Sequence, residues 1–158
     1  MDYLVNLSLL GPDAALDARM AKAGVIIRRA LAPEYELVTG WVRRKFSAGW
    51  AGETAVSMMR QPPTCFLATK DKKLIGFACH ESIARGFFGP TGVDEAARGQ
   101  GVGHALLLAS LLDLKVMGYA YAIIGDVGPS EFYERTVGAT QIPNSEPGIY
   151  AGLLKSAD

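Results

Sequence analysis

Apolar positions along the chain change period from two to about 3.6 and back again several times, which predicts strands interleaved with amphipathic helices. Tyr3 to Leu10 is apolar with polar interruptions and predicts a short strand. Pro12 to Ala23 predicts a helix, with Pro near its start and Gly24 just past its end. Val25 to Arg29 is β-branched at its head and reads as a strand, while Leu37, Val38, Trp41, Val42 and Phe46 fall at helical spacing within Glu34 to Phe46. A second helix is expected over Gly52 to Arg60, ending before Pro62-Pro63. Thr64 to Thr69 and Leu74 to Glu81 are apolar runs joined by Lys70-Asp71-Lys72-Lys73, the pattern of a hairpin. Phe87 to Val93 adds a third strand to that meander, with a bulge or bend expected at Gly89 and Pro90. A long helix from Gly101 to Met117 closed by Gly118 follows, then a strand from Tyr119 to Gly125. A short helix over Ser130 to Val137 and a closing strand over Gly148 to Leu154 complete the chain. The order is that of an α+β domain over 1–158, one mixed sheet with helices on both faces, and 1–24 packed on it as an N-terminal extension.

Composition narrows the function classes. At 158 residues and 49% hydrophobic content the chain can bury one substantial core. Sixteen basic and sixteen acidic residues cancel, so no global cationic field exists to hold a nucleic-acid backbone. The densest basic cluster, Arg43-Arg44-Lys45, reads as one solvated helix end. Cys65 and Cys79 sit in apolar runs, without the spacing of a zinc or redox pair, so no metal and a reduced, cytoplasmic setting are expected. Asp2 and Gly11-Pro12 suit a signal peptide poorly, and the helix near 102 to 117 is interrupted by His104, Ser110, Asp113 and Lys115, so no membrane is expected. An apolar strand at Tyr3 to Leu10 must be covered, either by its own sheet or by a second copy in a homodimer.

Candidate chemistry centres on Arg98-Gly99-Gln100-Gly101-Val102-Gly103, between a strand and a helix. Such a loop offers consecutive backbone N–H groups at a helix N-terminus and binds phosphate, with Arg98 able to add charge-assisted hydrogen bonds. A flexible turn is the plain alternative. A P-loop is excluded because no Lys-Ser or Lys-Thr follows the glycines. A dinucleotide fingerprint would need glycine where His104 stands, and it normally follows the first strand, although Asp126 could play its ribose-binding acid.

The stretch Val93 to Gly103 resembles the acetyl-CoA motif of the GNAT superfamily of N-acetyltransferases, in which an Arg or Gln, two variable residues, a Gly, one variable residue and a Gly or Ala follow a strand at this distance. Ser130 to Ala139, with Phe132-Tyr133, Arg135 and Gly138-Ala139, is similar to the Phe-Tyr helix of the same superfamily. The resemblance implies a mixed, mostly antiparallel GNAT-like sheet and transfer of an acetyl group from acetyl-CoA to a primary amine of a small molecule or peptide, by direct attack in a ternary complex. It implies that the backbone from Gln100 to Gly103 takes the pyrophosphate and that Val93 bonds the pantetheine arm as an added strand would. Tyr133 matches the tyrosine that protonates the departing thiolate. Where the superfamily often has an Asn holding the cofactor, this chain has Asp126, which cannot donate when ionised. No acid lies in Phe87 to Val93, so His80 or Glu81 on the neighbouring strand is the candidate base; being adjacent, they point to opposite faces. Candidates to line the acceptor site are Tyr35, Trp50, Phe87, Phe88 and Tyr150, with Trp41 assigned to the core. A non-catalytic acyl-CoA-binding module and a dinucleotide-dependent oxidoreductase are the rival functions.

Overall fold

A computed structural model describes residues 1–157. Along them run β1 (Tyr3–Asn6), α1 (Ala14–Lys22), β2 (Val25–Arg29), α2 (Tyr35–Lys45) and α3 (Ala48–Met58). The central meander is β3 (Cys65–Lys70), β4 (Lys73–His80) and β5 (Phe87–Val93), followed by α4 (Val102–Val116), β6 (Tyr121–Ile124), α5 (Ser130–Val137) and β7 (Thr140–Gln141). Local chemistry sets several of these boundaries. The Asp13 carboxylate accepts from the Leu16 N–H and opens α1, and Ser47 does the same for Trp50 at the head of α3. Asp71 and Lys72 both take left-handed φ, 50° and 62°, which gives the β3–β4 hairpin a two-residue turn whose twist matches its strands.

One seven-stranded sheet runs in the order β2-β3-β4-β5-β6-β1-β7. Every neighbouring pair is antiparallel except β5 and β6. The α4 helix is apolar on nearly all sides because it is buried against one sheet face, where Leu106, Leu107, Leu111 and Leu114 are almost fully covered. With α1 and α5 it forms the larger core cluster. On the other side, Val38, Trp41 and Val42 of α2 and Ala51 and Met58 of α3 pack on Leu67 and Phe77. The expected bend in β5 appears as a break in its pairing with β4 between Ala78 and His80.

One choice the sequence left open is decided by the structure, and one expectation differs from it. The apolar strand at the N-terminus is taken up by its own sheet, where β1 pairs with β6 through Tyr3 opposite Ile124 and with β7 through Leu4 opposite Thr140. The extra N-terminal strand is therefore a member of the sheet, over Tyr3–Asn6. The closing strand expected over Gly148 to Leu154 does not form; Gly148–Tyr150 is a 3-10 turn, with Gly148 at φ 62° and Pro147 before it. β1 already occupies the edge of β6 that such a strand would need. Among the described residues no helix is long and apolar enough to cross a membrane.

His80, at the end of β4, is fully buried and donates from Nε2 to Asp113 of α4 at 2.6 Å, while Arg29 of β2 holds the other carboxylate oxygen at 2.8 Å. Burial works against the Asp113 charge, but the hydrogen bonds from His80 and Arg29 outweigh it and hold the carboxyl well below its usual range. A depressed folded-state value stabilises the protein above the unfolded pKa of about 3.9, and that stability is lost as pH falls below it. Asp113→Ala is expected to cost about 2 kcal/mol, tempered by the partial exposure of the carboxylate, and to flatten the acid limb of stability between about pH 4 and 2. Urea titrations of both proteins across that range check it.

Candidate functional site

The site arises where β5 and β6 part. As parallel neighbours they pair only at Phe87 with Ile123 and Phe88 with Ile124. Beyond that point β5 follows β4, and Gly89 takes φ 121°. The separated strands face a cavity of about 840 Å³, with Gly89 to Val93 along one wall and Ile124 to Pro129 along the other. Phe46 reaches it from the turn between α2 and α3, Trp50 and Glu53 from α3, Phe132 and Tyr133 from α5, and Tyr150 and Leu153 from the C-terminal segment. The Asp94 N–H donates to the Ile75 carbonyl at 2.8 Å, toward β4, so the alternate residue Val93 turns its N–H and C=O toward the opening. Its carbonyl accepts from Arg98 Nε at 3.1 Å.

The glycine loop lies at the end of this wall. Gly99 and Gly101 take φ 74° and 90°, left-handed values that side chains resist, and Gly101 is the N-cap of α4. A smaller cavity of about 320 Å³ follows, lined by Gly99, Gly101, Val102 and Gly103 together with Arg98. Val93, Arg98, Gly103 and Phe132 border both cavities, so the two adjoin at the loop. Unpaired N–H groups at the start of α4, left-handed glycines and a guanidinium meet there, a combination that favours negative charge. Gln100 is exposed in the loop and lines neither cavity. Arg19 of α1 also lines the smaller cavity and donates to the Gly99 carbonyl at 3.3 Å, a contact across 80 residues that the sequence pattern does not signal.

Tyr133 is 8% exposed, with its ring packed edge-on against Phe88 and Phe132 at centroid distances of 6.4 and 5.0 Å. Its hydroxyl has no hydrogen-bond partner among the described residues, and burial pushes the phenol above its ordinary pKa. Of the expected acceptor-site residues, Trp50, Phe88 and Tyr150 line the larger cavity. Phe87 lies behind the wall against Gly125, and Tyr35 packs on the smaller core cluster. Asp126 lines the larger cavity, apart from the glycine loop; its N–H donates to Asp2 Oδ1 at 3.0 Å and its side chain is 81% exposed.

Neither expected base enters the cavity. His80 faces α4 and its carboxylate partner, and Glu81 is buried in the turn after β4, where it accepts from the Gly86 N–H and the Tyr119 hydroxyl. Cys65 and Cys79 face each other across β3 and β4 inside the smaller core cluster, away from the opening. The carboxylate that does reach the cavity from a helix is Glu53, half-buried and raised by desolvation. Tyr150 is pushed up to about 12 by burial and by the charges of Glu53, Asp126 and Asp2. Gly92 on β5 is packed so closely beneath the Phe46 ring that an added Cβ would collide with it. No group of His, Cys, Asp or Glu that could hold a metal exists among the described residues.

Residues 27–139 match the family model of the acetyltransferase (GNAT) family. No curated protein matches. Among solved structures, the glucosamine N-acetyltransferase region of a fungal multi-domain GH3 β-N-acetylglucosaminidase is similar at a TM-score of 0.70 and 18% identity, over 86% of this chain. This chain spans only 19% of that protein's length, and the likeness is one of fold. YhbS of Escherichia coli, a GNAT-family N-acetyltransferase solved with CoA, is 25% identical with a TM-score of 0.56, covering 71% of this chain and 67% of its own. The aminoglycoside N-acetyltransferase AAC(6')-Iy, also solved with CoA, shares the fold at 18% identity and a TM-score of 0.55, covering 74% and 88%.

Proposed function

The chain belongs to the GNAT acetyltransferase family, and from that premise we propose that it moves an acetyl group from acetyl-CoA to a primary amine of a small molecule or peptide, by direct attack in a ternary complex. The observation that carries the reading is the meeting of three features around two adjoining cavities. These are the parted β5 and β6 edges, the left-handed glycines before α4, and the buried hydroxyl of Tyr133.

The backbone from Gln100 to Gly103 and the Arg98 side chain take the pyrophosphate, as the helix N-terminus and its charge favour. Val93 bonds the pantetheine arm through the backbone groups that β6 leaves unpaired, which is strand addition to a sheet edge. Acetyl-CoA supplies the thioester whose carbonyl carbon the amine attacks. The Tyr133 hydroxyl delivers a proton to the departing sulfur; its raised pKa keeps it protonated at neutral pH. Release of free thiol, measured with acetyl-CoA against a panel of primary amines, tests the reading. Release that needs both partners is expected; saturable acetyl-CoA binding with no release on any amine would instead fit a non-catalytic acyl-CoA-binding module.

Arg19 adds a second guanidinium to the anion site from outside the family match. As it is exposed, its contribution is a salt-sensitive contact. Arg19→Ala is expected to weaken acetyl-CoA binding about fivefold at low salt, with the gap narrowing at about 0.5 M salt. Calorimetric titration at the two ionic strengths measures it, and an unchanged Kd at low salt would remove Arg19 from the site.

A further inference from the structure

Two carboxylates line the larger cavity among the described residues, Glu53 and Asp126. They are not equivalent. Asp126 stands at the rim with its side chain 81% exposed, and its carboxylate lies 4.0 Å from the N-terminal ammonium of Met1. Glu53 projects from the middle of α3 into a space walled mainly by aromatic and glycine residues, and it makes no hydrogen bond or ion pair with any described residue. An unpaired carboxylate facing apolar walls is costly unless something brings it a positive charge. The side chains around it suit such a charge. Trp50 lies three residues earlier, on the same side of α3, and is stacked on Phe46 at 5.2 Å. Tyr150 is near enough to feel the Glu53 charge, and its hydroxyl lies over Gly125, beside the point where β5 and β6 part. Aromatic faces beside a carboxylate attract an ammonium group by both the ring quadrupole and the charge.

We propose that Glu53 holds the ammonium of the acceptor and takes its proton, and that the acceptor is accordingly a cationic primary amine with apolar surface next to the nitrogen, seated between Glu53, Trp50 and Tyr150. The inference rests on the acetyl-transfer reading above. Its proton balance closes on this chain's residues. The acceptor enters as an ammonium and gives one proton to Glu53, and the freed lone pair forms the C–N bond with the thioester carbonyl. As the C–S bond breaks, Tyr133 protonates the sulfur. The nitrogen then loses its second proton, which restores Tyr133, and Glu53 returns its proton to solvent. The net products are an amide, a free thiol and one released proton. Desolvation raises the Glu53 carboxyl, which makes it a stronger base than a solvated carboxylate.

The test uses Glu53→Gln in the full chain, with acetyl-CoA affinity confirming that the variant folds. Thiol release with the best amine of the panel is expected to fall about 100-fold in kcat/KM. The wild-type profile should lose activity as pH falls through a carboxyl pKa above about 4.3, and the variant should lack that limb. A second readout does not need turnover. Binding of 2-phenylethylamine and of its neutral counterpart 2-phenylethanol is followed by the fluorescence of Trp50, the more exposed of the two tryptophans at 37% against 9% for Trp41. The wild-type protein is expected to prefer the amine about tenfold and the Gln variant to bind the two alike. An ammonium preference that survives Glu53→Gln, or a variant with the wild-type rate and pH profile, overturns the proposal. Wild-type protein that prefers the amine but releases no thiol with any acceptor would overturn the transferase reading while leaving the ammonium site in place.

Discussion

Tyr133→Phe is expected to lower kcat about 10³-fold while leaving the Kd for acetyl-CoA and the unfolding free energy nearly unchanged. The stability half of that expectation follows from packing. The ring is held by Phe88 and Phe132, contacts that Phe keeps, and the hydroxyl it loses has no hydrogen-bond partner among the described residues. Removing an unpartnered hydroxyl costs less than about 1 kcal/mol, so a large kinetic loss would belong to the proton and not to the fold. Burial makes the phenol a weaker acid than in water, where it titrates near about 10, and a thiol titrates near about 8.5. Transfer of its proton to sulfur therefore runs uphill by more than about 2 kcal/mol, at about 1.4 kcal/mol per unit. It is completed because the acceptor nitrogen sheds a proton as the tetrahedral centre collapses. A general acid must be protonated, so Tyr133 predicts no loss of rate with rising pH until past about 10. A Phe variant with more than about a tenth of the wild-type kcat would assign that proton to water.

How much of this could be read from sequence depended on the distance over which each feature is specified. Local signals carried far. The limits of β5 and α5, the hairpin at Asp71-Lys72 and the helix after the glycine loop are each set by residues within a few positions, and the strand, turn and helix patterns named them. The place of β1 in the sheet was not legible, because Tyr3 finds Ile124 and Gln141, residues more than a hundred positions away. Occupation of that edge by β1 is also why the apolar residues after Pro147 do not extend. Ile149, Leu153 and Leu154 stay exposed, Leu153 at the cavity mouth, while Tyr150 turns to the cavity.

The candidate site shows the same division. Val93, Arg98, the glycines and Tyr133 were signalled by spacing along the chain, and the structure gathers them around one opening. Arg19 and Glu53 carry no such signal. Each is a single charge on a helix, indistinguishable in sequence from a solvated surface residue. His80 and Glu81 looked attractive because they end the strand beside β5, yet each satisfies a different polar need, His80 with Asp113 and Glu81 with Gly86 and Tyr119. On β5, Gly92 has no side chain and Phe46 lies directly over it. Phe46, between α2 and α3, and Glu53 of α3 line the same opening.

The glycine loop yields the other large effect. Gly101→Val is expected to raise the Kd for acetyl-CoA about 10³-fold and to leave the protein folded. At φ 90° the residue occupies backbone space that L side chains rarely adopt, and a β-branched side chain is the least tolerant of it. The chain must turn back toward negative φ, which swings the first N–H groups of α4 away from the pyrophosphate. Losing two charge-assisted hydrogen bonds at about 2 kcal/mol each accounts for the factor. A side chain there would also press on Arg19, whose Nη1 lies 3.0 Å from where a Cβ would stand, so the second guanidinium moves as well. Stability should fall by only about 1–2 kcal/mol, because α4 stays anchored through Leu106, Leu107, Leu111 and Leu114. Calorimetric titration paired with thermal unfolding separates the two effects. Gly101→Val in an Arg19→Ala background isolates the backbone, since the guanidinium that a Cβ would meet is then absent. If Val still raises the Kd there by nearly the same factor, the left-handed geometry of Gly101 holds the N–H groups in place; if the added loss is small, contact with Arg19 was the larger cause.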